Sequence, residues 1–226
     1  MHLAIIPDGN RRWAKKEGFL SENGHKAGAD NMKKIIFSAW DAGVTDLTIW
    51  GLSLSNVKNR SKKEIFFLYK IFSDCFSELV SSEQAKGRQV KIKFLGEWRK
   101  YFPENLVSLL NSIEKETSFN DGANLTFMLA YSGKEEMISA INLLIKDNEG
   151  KIGEKELKRH LMTNGMPPVD LVIRTGGEPH WSDGFMMWDV ADAHFYFTEV
   201  LWPDFSKEEL LKAIRRFNKT ERRFGK

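Results

Sequence analysis

Apolar residues along this chain of 226 residues follow two rhythms. Short runs and alternations, "LAII" (3–6), "DLTIWGLS" (46–53), "QVKIKFLG" (89–96), "NLTFMLAY" (124–131), "VDLVIR" (169–174) and "HFYFT" (194–198), have the length and composition of strands. Between them apolar positions recur at helical spacing. One helix is predicted over 27–42 with Gly43 closing it, and another over 61–87 with Ser61 as its N-cap and Gly87 near its end. A third starts with Pro103 at its first position, a fourth is "KEEMISAINLLIK", and "SKEELLKAIRRFNKTERRF" is the last. Strands alternating with helices predict an α/β fold, a single domain spanning 1–226 around a six-stranded, mainly parallel sheet. No repeat, low-complexity stretch or linker divides it.

Composition narrows the class. An apolar content of 42% and a charged content of 29% belong to a globular protein, and 226 residues suffice for a real core. A net charge of +3 lacks the dense basic stripe of a nucleic-acid binder, so no nucleic-acid partner is expected. One cysteine, Cys75, excludes an internal disulfide and fits a reducing compartment; its apolar helical setting suits a buried structural thiol. No run approaches the roughly 18 apolar residues of a membrane span. The first apolar run reads as a strand and not a signal peptide, so a cytoplasmic protein is expected, one still able to touch a membrane surface. Of the residues, 27 are aromatic, seven of them tryptophan, enough to fill a core or to line a large apolar cavity. On the 61–87 helix Phe72, Cys75, Phe76 and Leu79 share a face, with Ile65, Phe66, Leu68, Tyr69 and Val80 around it. That face is either core or the wall of a tunnel for a hydrocarbon chain.

In a parallel sheet ligands bind beyond the carboxyl ends of the strands. The first strand ends in Pro7-Asp8-Gly9-Asn10-Arg11-Arg12-Trp13, where turn amides, a following helix N-terminus and two arginines make a cradle for a diphosphate. No Walker A lysine follows and no G-x-G-x-x-G pattern is present; a plain β-turn before a solvated basic helix is the other reading. The fifth strand ends in Arg174-Thr175-Gly176-Gly177-Glu178, with His180 and Ser182 behind it, a second anion-holding turn. Ser53 and Asn56 follow the second strand; Asn56 could bond polar substrate atoms or cap the next helix. His25 in "NGHKAG" precedes a predicted helix start, where it is either structural or a phosphate partner. "RRFG" (222–225) alone reads as a frayed basic tail. Two anion cradles side by side call for a metal if a diphosphate is to leave. Mg²⁺ prefers one or two carboxylates plus substrate phosphates, and Asp8 is the obvious carboxylate.

Taken in order, "HLAIIPDGNRRWAK", "GHKAG", the serine-to-asparagine step after strand two, "PVDLVIRTGGE" and "FYFTEVLWPDF" followed by "ERRFG" resemble the cis-prenyltransferases, the family of undecaprenyl diphosphate synthase, nearly end to end. The resemblance implies the six-stranded sheet with an apolar tunnel, a homodimer, and Mg²⁺-dependent condensation of prenyl diphosphate substrates, an allylic diphosphate with isopentenyl diphosphate. It implies that Asp8 holds Mg²⁺ and assists departure of the allylic diphosphate, which Gly9, Asn10, Arg11, Arg12 and His25 hold. Ser53, and Arg60 after a one-residue insertion, join that group. Trp13 would pack near the allylic end, and Asn56 would help remove a proton. Arg174 and Ser182 would grip the second diphosphate, with Arg223 and Gly225 reaching it from a partner subunit. A lipid product would bring the enzyme into contact with a membrane surface.

Departures from the family pattern fall on the allylic side at Ser21 and, at the second-substrate side, within "EPHWSDGF" and at His194. Ser21 stands where relatives carry an arginine, Val57 where many carry an aromatic residue, His180 where a second arginine is usual, and His194 in place of a glutamate that helps hold Mg²⁺. Histidine suits transition metals better than Mg²⁺. The changes at His180 and His194 motivate a second expectation, irregular head-to-middle joining of two allylic units such as dimethylallyl diphosphate. A non-catalytic partner subunit is a third, against which the intact Asp8–Trp13 loop argues.

Overall fold

The computed structural model describes residues 1–147 and 150–220. Its centre is one sheet of six strands, β1 (His2–Ile6), β2 (Asp46–Ser53), β3 (Lys91–Leu95), β4 (Asn124–Tyr131), β5 (Leu171–Arg174) and β6 (His194–Phe197). Their order across the sheet is β3-β4-β2-β1-β5-β6, and every neighbouring pair is parallel. The helices are α1 (Asn10–Lys16), α2 (Ser21–Asp41), α3 (Leu54–Asn59), α4 (Lys62–Ser81), α5 (Glu83–Gly87), α6 (Trp98–Tyr101), α7 (Glu104–Glu116), α8 (Gly133–Lys146), α9 (Glu154–His160) and α10 (Lys207–Lys219). β1 pairs with β2 on one side and β5 on the other. The chain builds one half of the sheet, then returns to β1 to build the other. A crevice at the carboxyl ends of β1 and β5 follows from that reversal.

β1 is fully buried, as its unbroken apolar run requires of a central parallel strand. α4 buries Ile65, Leu68, Phe72, Cys75, Phe76 and Leu79 against the sheet. Phe76 packs on Phe94 and Phe127 at ring separations of 5.0 and 4.7 Å, so this part of the stripe is core. Burial pushes the Cys75 thiol up to about 12, which keeps it protonated and inert. Phe66, expected near that face, is instead 72% exposed. Gly51 in β2 stands at a register shift against β4, and a Cβ there would lie 2.9 Å from Leu129 Cδ2. The resulting bulge re-aims the end of β2.

Other boundaries differ from the sequence expectation for physical reasons. α2 begins at Ser21, so "GHKAG" lies within the helix and not before it. Gly24 and Gly28 let α1 and the Trp202 turn approach closely, and that packing outweighs glycine's low helix propensity. The 61–87 helix is two: Ser82 is extended, and its hydroxyl accepts from Ala85 N at 3.2 Å to cap α5. Pro103 is the N-cap of α7 and not its first helical residue. α9 lay outside the apolar pattern because none of its residues is buried. Among the described residues no helix is long and apolar enough to cross a membrane.

Phe76, 2% exposed and ringed by aromatic partners, is the test of this core. Phe76→Ala should lower unfolding stability by about 3–5 kcal/mol. In urea denaturation it should shift the midpoint with little change in slope.

Candidate active site

A cavity of about 530 Å³ opens at the carboxyl ends of β1, β2 and β5. Asp8 reaches it from the turn after β1. Its backbone is pinned on three sides: Asp8 N donates to Thr175 Oγ1 at 2.9 Å, Thr175 Oγ1 donates to Asp8 O at 2.7 Å, and Trp202 N donates to Asp8 O at 3.0 Å. Gly9 caps α1 at φ +112°, and a Cβ there would press on Leu201, so glycine is required. Asp8's carboxylate thus faces two arginines, Arg12 Nη2 at 3.1 Å and Arg174 Nη2 at 3.0 Å. Glu178 bridges the same pair at 3.5 Å to each, and Arg12 Nη1 also donates to Gly176 O. Arg174, 5% exposed, donates through Nη1 to His180 O at 2.8 Å.

The opposite wall comes from α2, α3 and the start of α4. His25 is buried, its Nε2 3.0 Å from Glu64 Oε1, and Arg60 Nη1 lies 3.1 Å from the same oxygen. Burial holds the His25 imidazole below its usual range, opposed by its hydrogen bond to Glu64. Burial lowers Arg60 as well. Ser53 caps α3 by accepting from Asn56 N at 3.0 Å, which brings Ser53, Ser55 and Asn56 to the rim. Met32, Trp50, Leu52, Leu68, Ile71 and Phe72 form the apolar end.

Of the residues expected at a site, Asp8, Gly9, Asn10, Arg11, Arg12, His25, Ser53, Asn56, Arg60, Arg174 and Ser182 line the one cavity. Others do not. Trp13 donates from Nε1 to Asp204 Oδ1 at 2.7 Å and packs on Phe19. Ser21 opens α2 away from the cavity lining. His180 contributes its carbonyl to Arg174 while its half-exposed ring lies 3.8 Å from Glu178. Arg223 and Gly225 lie outside the described residues.

The expectation for His194 needs correction. In β6 it is level with Leu171, whereas Phe197 is level with Arg174. Three strand steps, about 10 Å, separate it from the carboxyl edge. Its ring packs edge-on against Phe217 at 5.3 Å. Asp8 and His194 of one chain therefore do not share a metal. Two cavity carboxylates, Glu178 and Asp183, had no assigned role, and neither had Glu64, which backs the wall at His25 and Arg60 and stands four residues after Arg60, a readable helical ion-pair spacing.

Chemically the cavity has the donors to hold an anion. Buried Arg174 Nε, Arg60 Nε and Asn10 Oδ1 have no hydrogen-bond partner among the described residues. Unpaired polar atoms at such a depth are costly unless a ligand or water meets them. Among the described residues no three His, Cys, Asp or Glu side chains gather as a metal cage. Asp8, beside an anion cradle, instead fits a hard cation held jointly with phosphate oxygens.

The prenyltransferase family model described as undecaprenyl diphosphate synthase matches residues 6–225. The chain is 39% identical over 225 residues to an isoprenyl transferase of Fusobacterium nucleatum subsp. nucleatum, covering 99% of this chain and 95% of that one. It is 36% identical over 231 residues to a tritrans,polycis-undecaprenyl-diphosphate synthase (geranylgeranyl-diphosphate specific) of Thermococcus kodakarensis, covering 100% and 86%. Among solved structures, lavandulyl diphosphate synthase from Lavandula x intermedia, in complex with dimethylallyl diphosphate, superposes with a TM-score of 0.90. The two are 35% identical, and the match covers 100% of this chain and 98% of that one.

The His25–Glu64 pair gives a direct titration test. Because burial depresses His25, its neutral form stabilises the fold fully above the ordinary value of 6.5. That contribution is lost as pH falls from there through the lowered folded-state value. Imidazole NMR should find His25 titrating below the ordinary value of 6.5, and Glu64→Gln should move it lower still.

Proposed function

The chain belongs to the undecaprenyl diphosphate synthase family and is a prenyltransferase, and from that premise we propose that it condenses an allylic diphosphate with isopentenyl diphosphate into a cis-prenyl diphosphate. The observation that carries this reading is the meeting of Asp8, Arg12 and Arg174 at one corner of the cavity. Asp8, with phosphate oxygens of the allylic substrate, would hold Mg²⁺, which would neutralise charge on the departing diphosphate. Gly9 and Asn10 amides at the start of α1, with Arg11, Arg12, His25, Ser53 and Arg60, hold that diphosphate. Trp13 and Ser21 complete its surroundings from outside the cavity lining. These donors are fixed before substrate arrives, so stabilisation of the leaving group needs no reorganisation when the C–O bond breaks. Arg174 and Ser182 hold the second diphosphate, and Asn56 orients the condensing unit for loss of its proton. The apolar end around Leu68, Ile71 and Phe72 takes the prenyl chain and excludes water from the allylic cation.

A homodimer completes the proposal, with Arg223 and Gly225 supplied in trans. Phe195 and Phe197 on edge strand β6 are each 39% exposed and stacked at 5.9 Å, an uncovered apolar strip suited to a second copy. The buried free thiol fits a cytoplasmic setting. One observation favours irregular, head-to-middle joining as a second reading. The His180 ring stays out of the cavity lining while the fold superposes on a lavandulyl diphosphate synthase, which leaves the second diphosphate corner to Arg174 and Ser182.

Purified protein incubated with Mg²⁺, isopentenyl diphosphate and allylic primers of five to twenty carbons should yield linear cis products by mass spectrometry and NMR. Asp8→Ala should lower kcat about 100-fold or more. Products branched from dimethylallyl diphosphate alone would favour the second reading, and absence of any prenyl transfer would overturn both.

A further inference from the structure

The condensation proposed above needs a proton acceptor, and the inference rests on that reading. As the C–O bond of the allylic diphosphate breaks, its electron pair leaves with the diphosphate. The π pair of isopentenyl diphosphate forms the new bond from C4 to C1 of the primer, leaving a cation at C3. Loss of a proton from C2 turns that C–H pair into the product double bond. C2 is adjacent to the carbon that carries the diphosphate, so the base must stand beside the residues that grip that diphosphate.

We infer that Asp183 is this base. It directly follows Ser182, and both line the cavity. The other two carboxylates named at the β1–β5 corner are engaged: Asp8 with Arg12 and Arg174, and Glu178 with the same two arginines. Among the described residues the Asp183 carboxylate has no hydrogen bond or ion pair, though its carbonyl accepts from Gly133 N at 3.2 Å. The amide of Asn56 can orient a substrate but is too weak a base to keep a proton at neutral pH.

The backbone is built to present this side chain. Asp183 has φ +46°, Gly184 +63° and Met186 +48°, and left-handed geometry at two non-glycine residues in one turn is costly. The surroundings enforce it. Met186 N donates to Tyr131 Oη at 3.2 Å, Trp181 Nε1 donates to Phe185 O at 2.8 Å, and buried Phe185 stacks on Trp50 at 5.0 Å. Tyr131 Oη in turn donates to buried Glu136. Carbonyl contact from Gly184 leaves no room for a Cβ at residue 133.

Asp183→Asn tests the assignment cleanly, because asparagine tolerates the same left-handed backbone. Its kcat should fall about 100-fold or more, the scale of a lost general base, with both KM values little changed. With acceptor deuterated at C2, the variant should display a primary isotope effect larger than that of the parent enzyme. Asp183→Gly, unstrained at this φ, should reproduce the loss if the asparagine variant folds poorly. Unchanged kcat, a loss confined to the KM of isopentenyl diphosphate, or a loss without the larger isotope effect would each overturn the inference. An inactive parent enzyme would instead sink the condensation itself and this step with it.

Discussion

The ion pair between Asp8 and Arg174 ties together everything else in the site. One residue lies past the tip of β1 and the other ends β5, and parallel pairing of Ile6 with Arg174 brings them to 3.0 Å. The pairing exists because the chain reverses its direction of sheet growth at β1, which opens a crevice there. Arg174 is almost wholly buried, so its charge must be met by something. The acidic side chains of Asp8 and Glu178 meet it. On the proposed chemistry, a diphosphate would replace them at the arginine and release Asp8 for a cation.

Around that pair the fold supplies rigidity where charge moves and apolar surface where the prenyl chain lies. Thr175 clamps the β1 turn to the β5 turn through both Asp8 backbone groups. Gly24 and Gly28 let α1 press against α2, which fixes the helix start that carries the cradle amides. Glu64 holds His25 and Arg60 together on the facing wall. The aromatic surplus divides between these needs. Phe76, Phe94 and Phe127 are core, while Trp50 and Phe72 reach the cavity.

Much of this is legible in the sequence. β2 and β4 fall where their apolar runs place them, and the aspartate loop reads as strand, turn and helix. α2 was misplaced because two glycines near its start lower local helix propensity, and only the packed α1 explains them. His194 was misjudged because motif position was followed instead of strand direction. It opens β6, and in a parallel sheet a strand's first residue lies at the edge opposite the ligands. Asp183 could not be found by pattern at all, since its exposure to the cavity depends on a left-handed turn braced from β4 and α8.

On the proposed chemistry Asp8 competes with a diphosphate for Arg174 until a metal claims it. Calorimetric binding of inorganic pyrophosphate to the parent protein and to Asp8→Asn, each in EDTA and in Mg²⁺, tests that claim most directly. Removing the carboxylate should tighten binding in EDTA, where it is only a rival anion, and weaken binding in Mg²⁺, where it anchors the cation. An effect of the same sign in both conditions, or none in either, would contradict the account.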